Sequence, residues 1–339
     1  MNEIRALTAL RGIFAMWVLG YHLRSLHPVP MPDPHGFLLR GYLGVDFFFL
    51  LSGFVLARAY GDRVSTTASY RRFVTKRALR LFPLHLVVLA ISAVTIAAFG
   101  RWPGFRQLLL EATLIHRLPG VQSTNQSFNS PDWSISTEWI VNLLMPLIVL
   151  LVLKTSRLIS VSSVLVSYSV LIWICATTGG SLDHSSANSY LPFLRCICEF
   201  SIGVSLCRWQ TFGYRLPDAI CLFAAFISTL FGLSDILIVP IFALSILALS
   251  AERGFAARAL NWLPLYRLGE ISFSIYLVHL PVLFVVRRAV VSANITGYAG
   301  LTTYVIGVVF ITIMISWLSY SKVETYSRSL SDHFKLAVN

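Results

Sequence analysis

Residues 4–23 read IRALTALRGIFAMWVLGYHL, an apolar run that nevertheless carries Arg11 and His22. Twenty helical residues at 1.5 Å each span about 30 Å, the thickness of a bilayer's hydrocarbon core. Eleven residues separate the two ionisable groups. At 100° per residue that is three turns plus about 20°, so both project from one helical face about 16 Å apart. An ionisable side chain inside a span costs about 2.5–3.5 kcal/mol on insertion scales. The pair therefore lines a wet cavity at two depths, or each group is satisfied by its own buried contacts.

The rest of the chain has the same character. Of 339 residues, 56% are hydrophobic and only 12% charged, and the mean hydropathy is +0.72. Soluble domains carry about 25% charged residues, so this composition excludes a water-soluble globule. The net charge of +12 sits in gaps between apolar runs, the pattern of cytoplasmic membrane loops rather than of a nucleic-acid interface. Five cysteines, an odd number, all lie in or beside apolar segments and imply no disulfide framework. Cys196 and Cys198, two apart, point to different sides of a helix, and no metal site is expected.

Working outward from the first run gives an all-α polytopic membrane protein with about ten transmembrane helices. The stretches are Ile4 to Leu23, Leu38 to Tyr60, Leu79 to Phe99, Trp133 to Leu153, Leu158 to Thr177, Leu191 to Trp209, Leu216 to Leu233, Ile236 to Ala251, Leu268 to Val291 and Tyr298 to Tyr320. With both termini cytoplasmic, eighteen Lys and Arg fall inside and seven outside, while Arg11 and Arg195 lie within spans. That imbalance favours an N-in, C-in topology. The first run lacks a small-residue cleavage site and is expected to be retained. The breaks are too short for a separate soluble domain, so residues 1–339 are expected to form one transmembrane domain.

Several further polar groups lie inside spans. This topology puts Arg11 in the inner half, His22 toward the outer end, Asp46 and Glu138 in the outer half, and His279 near the middle. A histidine and carboxylates at similar depth could meet in one cavity as base and partners, or serve only structural hydrogen bonds. Ser134 and Glu138 share a face of the fourth span. Ser272, Tyr276 and His279 draw a polar line along the ninth, suited to holding a substrate or to interhelical bonding. On the inner side Arg77 and Arg80 lie on one face at the head of the third span, where guanidinium forks suit a polyphosphate. Arg71 and Arg72, just before them, read as a topology or lipid-contact signal.

Taken together these elements resemble the integral-membrane acyltransferase-3 family, whose members O-acylate cell-surface carbohydrates and related acceptors. Arg11 and His22 are similar to its Arg, ten residues, His signature, and Gly41 through Phe54 to its second-span motif. Arg77 and Arg80 with Phe82-Pro83 resemble its Arg-x-x-Arg element, and Trp133-Ser134 with Glu138 its Trp-Ser, then Glu, element. Ser272, Tyr276 and His279 resemble the late Ser, Tyr, His element, and Val323-Glu324 the closing Glu. The chain departs from the pattern at Trp139, where many members have a second acidic residue, and at Tyr326, where Pro is usual. No fused esterase-like domain is expected.

The resemblance implies an acyl-CoA donor, acetyl by default, entering from the cytoplasm with its phosphates on Arg77 and Arg80 and its pantetheine arm passing Arg11. His22 would act as general base on a hydroxyl of a carbohydrate or lipid-linked glycan, with Glu138 or Asp46 orienting its ring. Ser134, Tyr276 and His279 would help position substrate. No permanently bound cofactor, metal or nucleic acid is expected, and the implied location is a bacterial inner membrane. The rival reading is a secondary transporter or acyl-group exporter that uses the same buried charges without covalent chemistry. A non-catalytic receptor would explain the spans but not the shared face of Arg11 and His22.

Overall fold

The computed structural model describes residues 3–25, 32–33, 35–61, 63–64, 66–121, 126–183, 190–295 and 297–333. Its helices are, in order, α1 (Arg5–Ser25), α2 (Gly44–Tyr60), α3 (Thr67–Ala98), α4 (Phe105–Ala112), α5 (Asp132–Leu153), α6 (Arg157–Thr177), α7 (Leu191–Leu206), the single turn α8 (Gln210–Gly213), α9 (Asp218–Leu230), α10 (Asp235–Leu249), α11 (Phe255–Leu260), α12 (Leu263–Glu270), α13 (Ser272–Ser292), α14 (Gly297–Ser319) and α15 (Thr325–His333). A 3-10 turn, Leu38–Leu43, leads into α2, and a π-helical turn, Tyr320–Glu324, joins α14 to α15. There is no strand among the described residues.

Seven segments are long and apolar enough to cross a membrane: Arg5–Ser25, Leu38–Tyr60, Thr67–Ala98, Asp132–Leu153, Arg157–Thr177, Ser272–Ser292 and Gly297–Leu330. They coincide with seven of the ten expected stretches. The other three are helices of only 16, 13 and 15 residues, α7, α9 and α10. At 1.5 Å per residue these reach about 20–24 Å, so they cross a core of about 30 Å only where flanking residues or a locally thinner bilayer make up the difference. Local chemistry ends α9 early. Gly232 takes a left-handed φ of +72°, which lets the Leu233 N–H reach the Ser228 carbonyl at 2.9 Å. The chain then turns at once into α10.

The third helix departs from expectation in the other direction and begins at Thr67 rather than Leu79. Thr66 Oγ1 accepts from the Ser69 N–H at 3.2 Å while Ser69 Oγ accepts from the Thr66 N–H at 3.0 Å, a capping box that starts the helix inside the basic segment. Arg77 and Arg80 are thereby fixed on a rigid helix rather than on a loop. Only 28% of the α6 span and 22% of the C-terminal span are covered by protein, so their apolar faces form the outer coat.

The centre of the molecule is the α2–α7 contact. Gly53 packs on the Phe200 carbonyl and Gly203 on the Leu50 carbonyl, where a Cβ on either glycine would overlap the opposite backbone. This approach brings Asp46 of α2 against Arg195 of α7. Arg195 Nε donates to Asp46 Oδ1 at 2.9 Å, Nη2 donates to Oδ2, and Nη1 donates to the Leu182 carbonyl at 2.7 Å. Both side chains are buried. Gly12 and Gly269 allow a similarly close crossing of α1 and α12.

Between α3 and α5 the chain folds back under itself and buries polar groups. Gln107 Nε2 donates to Glu111 Oε1 at 2.7 Å, and the Phe128 N–H reaches the same carboxylate at 3.2 Å. Asn129 Nδ2 ties Asp132 Oδ1 at 2.8 Å to the Leu277 carbonyl at 3.2 Å, and His85 Nδ1 lies 3.3 Å from Asp132 Oδ2. These contacts fix the head of α5 against α13. Burial pushes the Glu111 carboxyl above its ordinary range, and burial, then Arg117, pushes His116 down to about 3.

Two stability predictions follow from this packing. Arg195→Met should cost about 3–5 kcal/mol, because it leaves the buried Asp46 without its partner, Asp46→Asn should cost less because Glu199 stands 3.6 Å from Arg195, and the double variant should cost less than the sum. Thermal unfolding of the detergent-solubilised protein measures this, and additive losses would refute the coupling. For His116 the native ring stays neutral while the unfolded ring titrates near about 6.5. Its contribution is complete above that pH and erodes as the pH falls toward 3. The loss of Tm between about pH 7.5 and 5 should therefore be smaller in His116→Leu than in wild type.

Candidate active site

A cavity of about 500 Å3 opens among α1, α2, α3, α5 and α13, and Arg11, Arg77, Arg80, Ser134, Glu138 and Tyr276 line it. Phe48, Phe49 and Phe273 supply apolar wall. Six of the nine expected site residues thus share one space. Arg71 and Arg72 are exposed on the outer face of α3, away from it.

The arginines are held by carboxylates from other helices. Arg77 Nη2 meets Glu138 Oε1 at 3.0 Å, and Ser52 Oγ donates to the same oxygen at 2.7 Å. Arg80 Nη1 meets Glu324 Oε2 at 2.9 Å, where Arg328 Nη2 approaches to 3.3 Å and Ser274 Oγ donates to Oε1 at 2.6 Å. Arg11 lies close enough to Arg80, Glu324, Glu138 and Glu3 to interact with all four. Five arginines, with Arg58 and Arg328 included, line the space against Glu3 and Glu138, and Glu324 stands behind Arg80. The balance is positive and the arginines are only partly covered, 17% exposed at Arg77 and 20% at Arg80. Such a set can accept a multiply charged anion.

His22 and His279 lie beyond this cavity, separated from it by Tyr276. The Tyr276 hydroxyl is 2.6 Å from Ser134 Oγ and donates to the Pro131 carbonyl at 3.2 Å, and its ring centroid is 6.0 Å from that of His279. His279 Nε2 is 3.1 Å from His22 Nδ1. Arg11 and His22 therefore do not open onto one space, since Arg11 lines the cavity and His22 does not.

The two imidazoles fix each other's tautomers. His279 Nδ1 lies 3.1 Å from the Ile275 carbonyl, which can only accept, so in the neutral ring Nδ1 carries the proton and Nε2 the lone pair. His22 Nδ1 faces two acceptors, that lone pair and the Val18 carbonyl, each at 3.1 Å. Its proton is shared between them, which leaves the lone pair of His22 on Nε2.

The expected carboxylate partner of His22 is corrected by this geometry. Asp46 is committed to Arg195, and Glu138 to Arg77 and Ser52; the side chain on the His22 ring is His279. His279, expected to touch substrate, instead contacts the base candidate. A carboxylate does stand nearby, since Asp183 accepts from the Tyr21 hydroxyl at 2.7 Å and interacts with His22. Arg195 and Ser52 were not among the expected site residues, and Glu324 appeared only as a motif. An arginine in the middle of one apolar span and an aspartate in another was the available signal for the Arg195–Asp46 pair, which Glu199, four residues on from Arg195, joins at 3.6 Å. Among the described residues no cluster of side chains suited to a metal ion is present.

The family model described as an acyltransferase domain, acyltransferase-3, matches residues 4–321. Acyltransferase MdmB of Streptomyces mycarofaciens is 29% identical over 314 residues, covering 83% of this chain and 79% of its own. Protein 2 in the picA locus of Rhizobium radiobacter is 38% identical over 88 residues, 26% of this chain and 42% of its own. YrhL of Bacillus subtilis (strain 168), named provisionally as a peptidoglycan O-acetyltransferase, is 25% identical over 364 aligned positions, 95% of this chain and 54% of its own. No solved structure gives a significant match. With nearly the whole chain under the family model, and six of the expected site residues lining one cavity, the protein belongs to the acyltransferase-3 family and is an acyltransferase.

Proposed function

We propose that the chain transfers an acyl group, acetyl in the first instance, from cytoplasmic acyl-CoA to a hydroxyl of a cell-surface or lipid-linked carbohydrate at a bacterial inner membrane. The observation that carries this reading is the positive cavity of Arg11, Arg77 and Arg80 leading to Tyr276, with the His279–His22 pair directly behind it. YrhL, named provisionally for O-acetylation of peptidoglycan, supports the acceptor class, and the seven long apolar helices support a membrane location.

In this reading the whole chain, 1–339, acts as one transmembrane domain of ten passes with both ends inside. Support comes from the eighteen-to-seven charge imbalance and from contacts that join short helices to same-side neighbours. The Arg5 N–H donates to Glu252 Oε1 at 2.9 Å on the inner side, and Arg40 Nη2 donates to the Gly232 carbonyl at 3.1 Å on the outer.

The donor's phosphates bind Arg77 and Arg80, the thioester passes Arg11 and reaches Tyr276, and swinging that ring aside opens the way to His22. His22 Nε2 removes the proton of the acceptor hydroxyl as its oxygen attacks the thioester carbonyl. The new C–O bond forms, the C–S bond breaks, and the departing thiolate recovers the proton from His22. His279 is a positioning residue that keeps the His22 proton on Nδ1.

Transfer of radiolabelled acetyl from acetyl-CoA in inside-out vesicles tests the reading. His22→Ala should lower kcat by about 10²–10⁴-fold, the range for a general base. Arg80→Ala should raise KM for acetyl-CoA by about tenfold or more, the worth of a charged hydrogen bond. His279→Gln should lower kcat with little change in KM and displace the pH–rate profile, which a merely structural role would leave in place. Equal labelling by every variant would remove the catalytic reading of the cavity and leave transport as the account of it.

A further inference from the structure

One helix, α13, borders two cavities. Its first turns line the one described above, and beyond His279 a second cavity of about 1080 Å3 opens between the far ends of α13 and α3. Leu280, Phe284, Arg287, Arg288 and Val291 recur at three- and four-residue steps, so they form one face of α13. Arg101, just past α3, adds a third guanidinium. Among the described residues no Asp or Glu lines this cavity. Arg77, Arg80 and Arg195, by contrast, are each matched by a carboxylate.

Three like charges around one space, without a counter-charge, attract an anion strongly, and guanidinium forks match phosphate oxygens. The other half of the lining is apolar. Ile96, Phe99, Leu280 and Phe284 form a greasy wall, and the Arg288 guanidinium lies 6.0 Å from the Phe99 ring centroid, where charge and wall meet. A small soluble anion would use only the arginines and leave that wall wet. A molecule with a phosphate at one end and a hydrocarbon chain at the other satisfies both halves.

We propose that the cavity of Arg101, Arg287 and Arg288 binds the phosphate-bearing headgroup of an amphiphile, with its chain along Phe99 and Phe284. If the transfer reading above holds, this is the side from which an acceptor arrives, and the cavity would hold a phosphate-linked lipid acceptor beside His279. Binding itself does not depend on that reading.

The test titrates the full-length protein in neutral-detergent micelles with dihexanoyl phosphatidic acid, dihexanoylglycerol and inorganic phosphate. Phosphatidic acid should bind, and Arg287→Ala/Arg288→Ala should weaken it by at least about tenfold, the loss of charge-assisted hydrogen bonds. Arg287→Lys/Arg288→Lys should keep most of the affinity, and Arg71→Ala/Arg72→Ala all of it. Arg101→Ala, on the loop past α3, repeats the test should the double variant unfold. Equal binding by wild type and the alanine variants overturns the site, as does dihexanoylglycerol matching phosphatidic acid. Inorganic phosphate binding as tightly as phosphatidic acid would make this a soluble-anion site and overturn the amphiphile. His22→Ala should bind phosphatidic acid like wild type, so loss of transfer and loss of this site are read separately.

Discussion

The contact between α2 and α7 is the constraint on which the other parts of the structure rest. Gly53 and Gly203 let two backbones touch, and the close approach brings Asp46 of α2 onto Arg195 of α7. In lipid there is no hydrophobic force to bring helices together, so small residues that permit close packing and polar pairs that demand it supply the association. The contact also sets the cavity. α2 carries Phe48 and Ser52 into its wall, and Ser52 holds the Glu138 oxygen that anchors Arg77. A shift of α2 against α7 would move the floor of the site with it.

The same economy of charge governs the rest of the interior. Arg80 is matched by Glu324 and Arg77 by Glu138, each pair joining helices far apart in sequence. Such pairs contribute little net stability once desolvation is counted, but breaking one is costly, so they specify which helices meet. They also leave the cavity with more positive than negative charge. A chain that needed stability alone would have filled these positions with leucine.

The sequence made the membrane character legible because hydropathy is a local property, readable in twenty residues at a time. The same locality limited what could be read. Ten stretches read alike by hydropathy, whereas α7, α9 and α10 fall short of spanning length by a few residues, α9 ending at the left-handed Gly232. Among site residues, helical period put Arg77 with Arg80 and Ser134 with Glu138 on shared faces, and these four line one cavity. Partner choice did not follow from it. The depth argument grouped His22 with Asp46 and Glu138, but depth carries no information on rotation between helices. Asp46 turned to Arg195, and His279, 257 residues along, turned to His22.

The π-helical turn at Tyr320–Glu324 acts as a rotational spacer in the backbone. Such a turn holds one residue more than an α-helical turn, and one residue swings whatever follows by about 100°. Glu324 closes that turn and Arg328 follows four residues on, so removing one residue would swing both away from Arg80. The anchor of that arginine thus depends on a backbone irregularity as much as on the side chain that carries the charge.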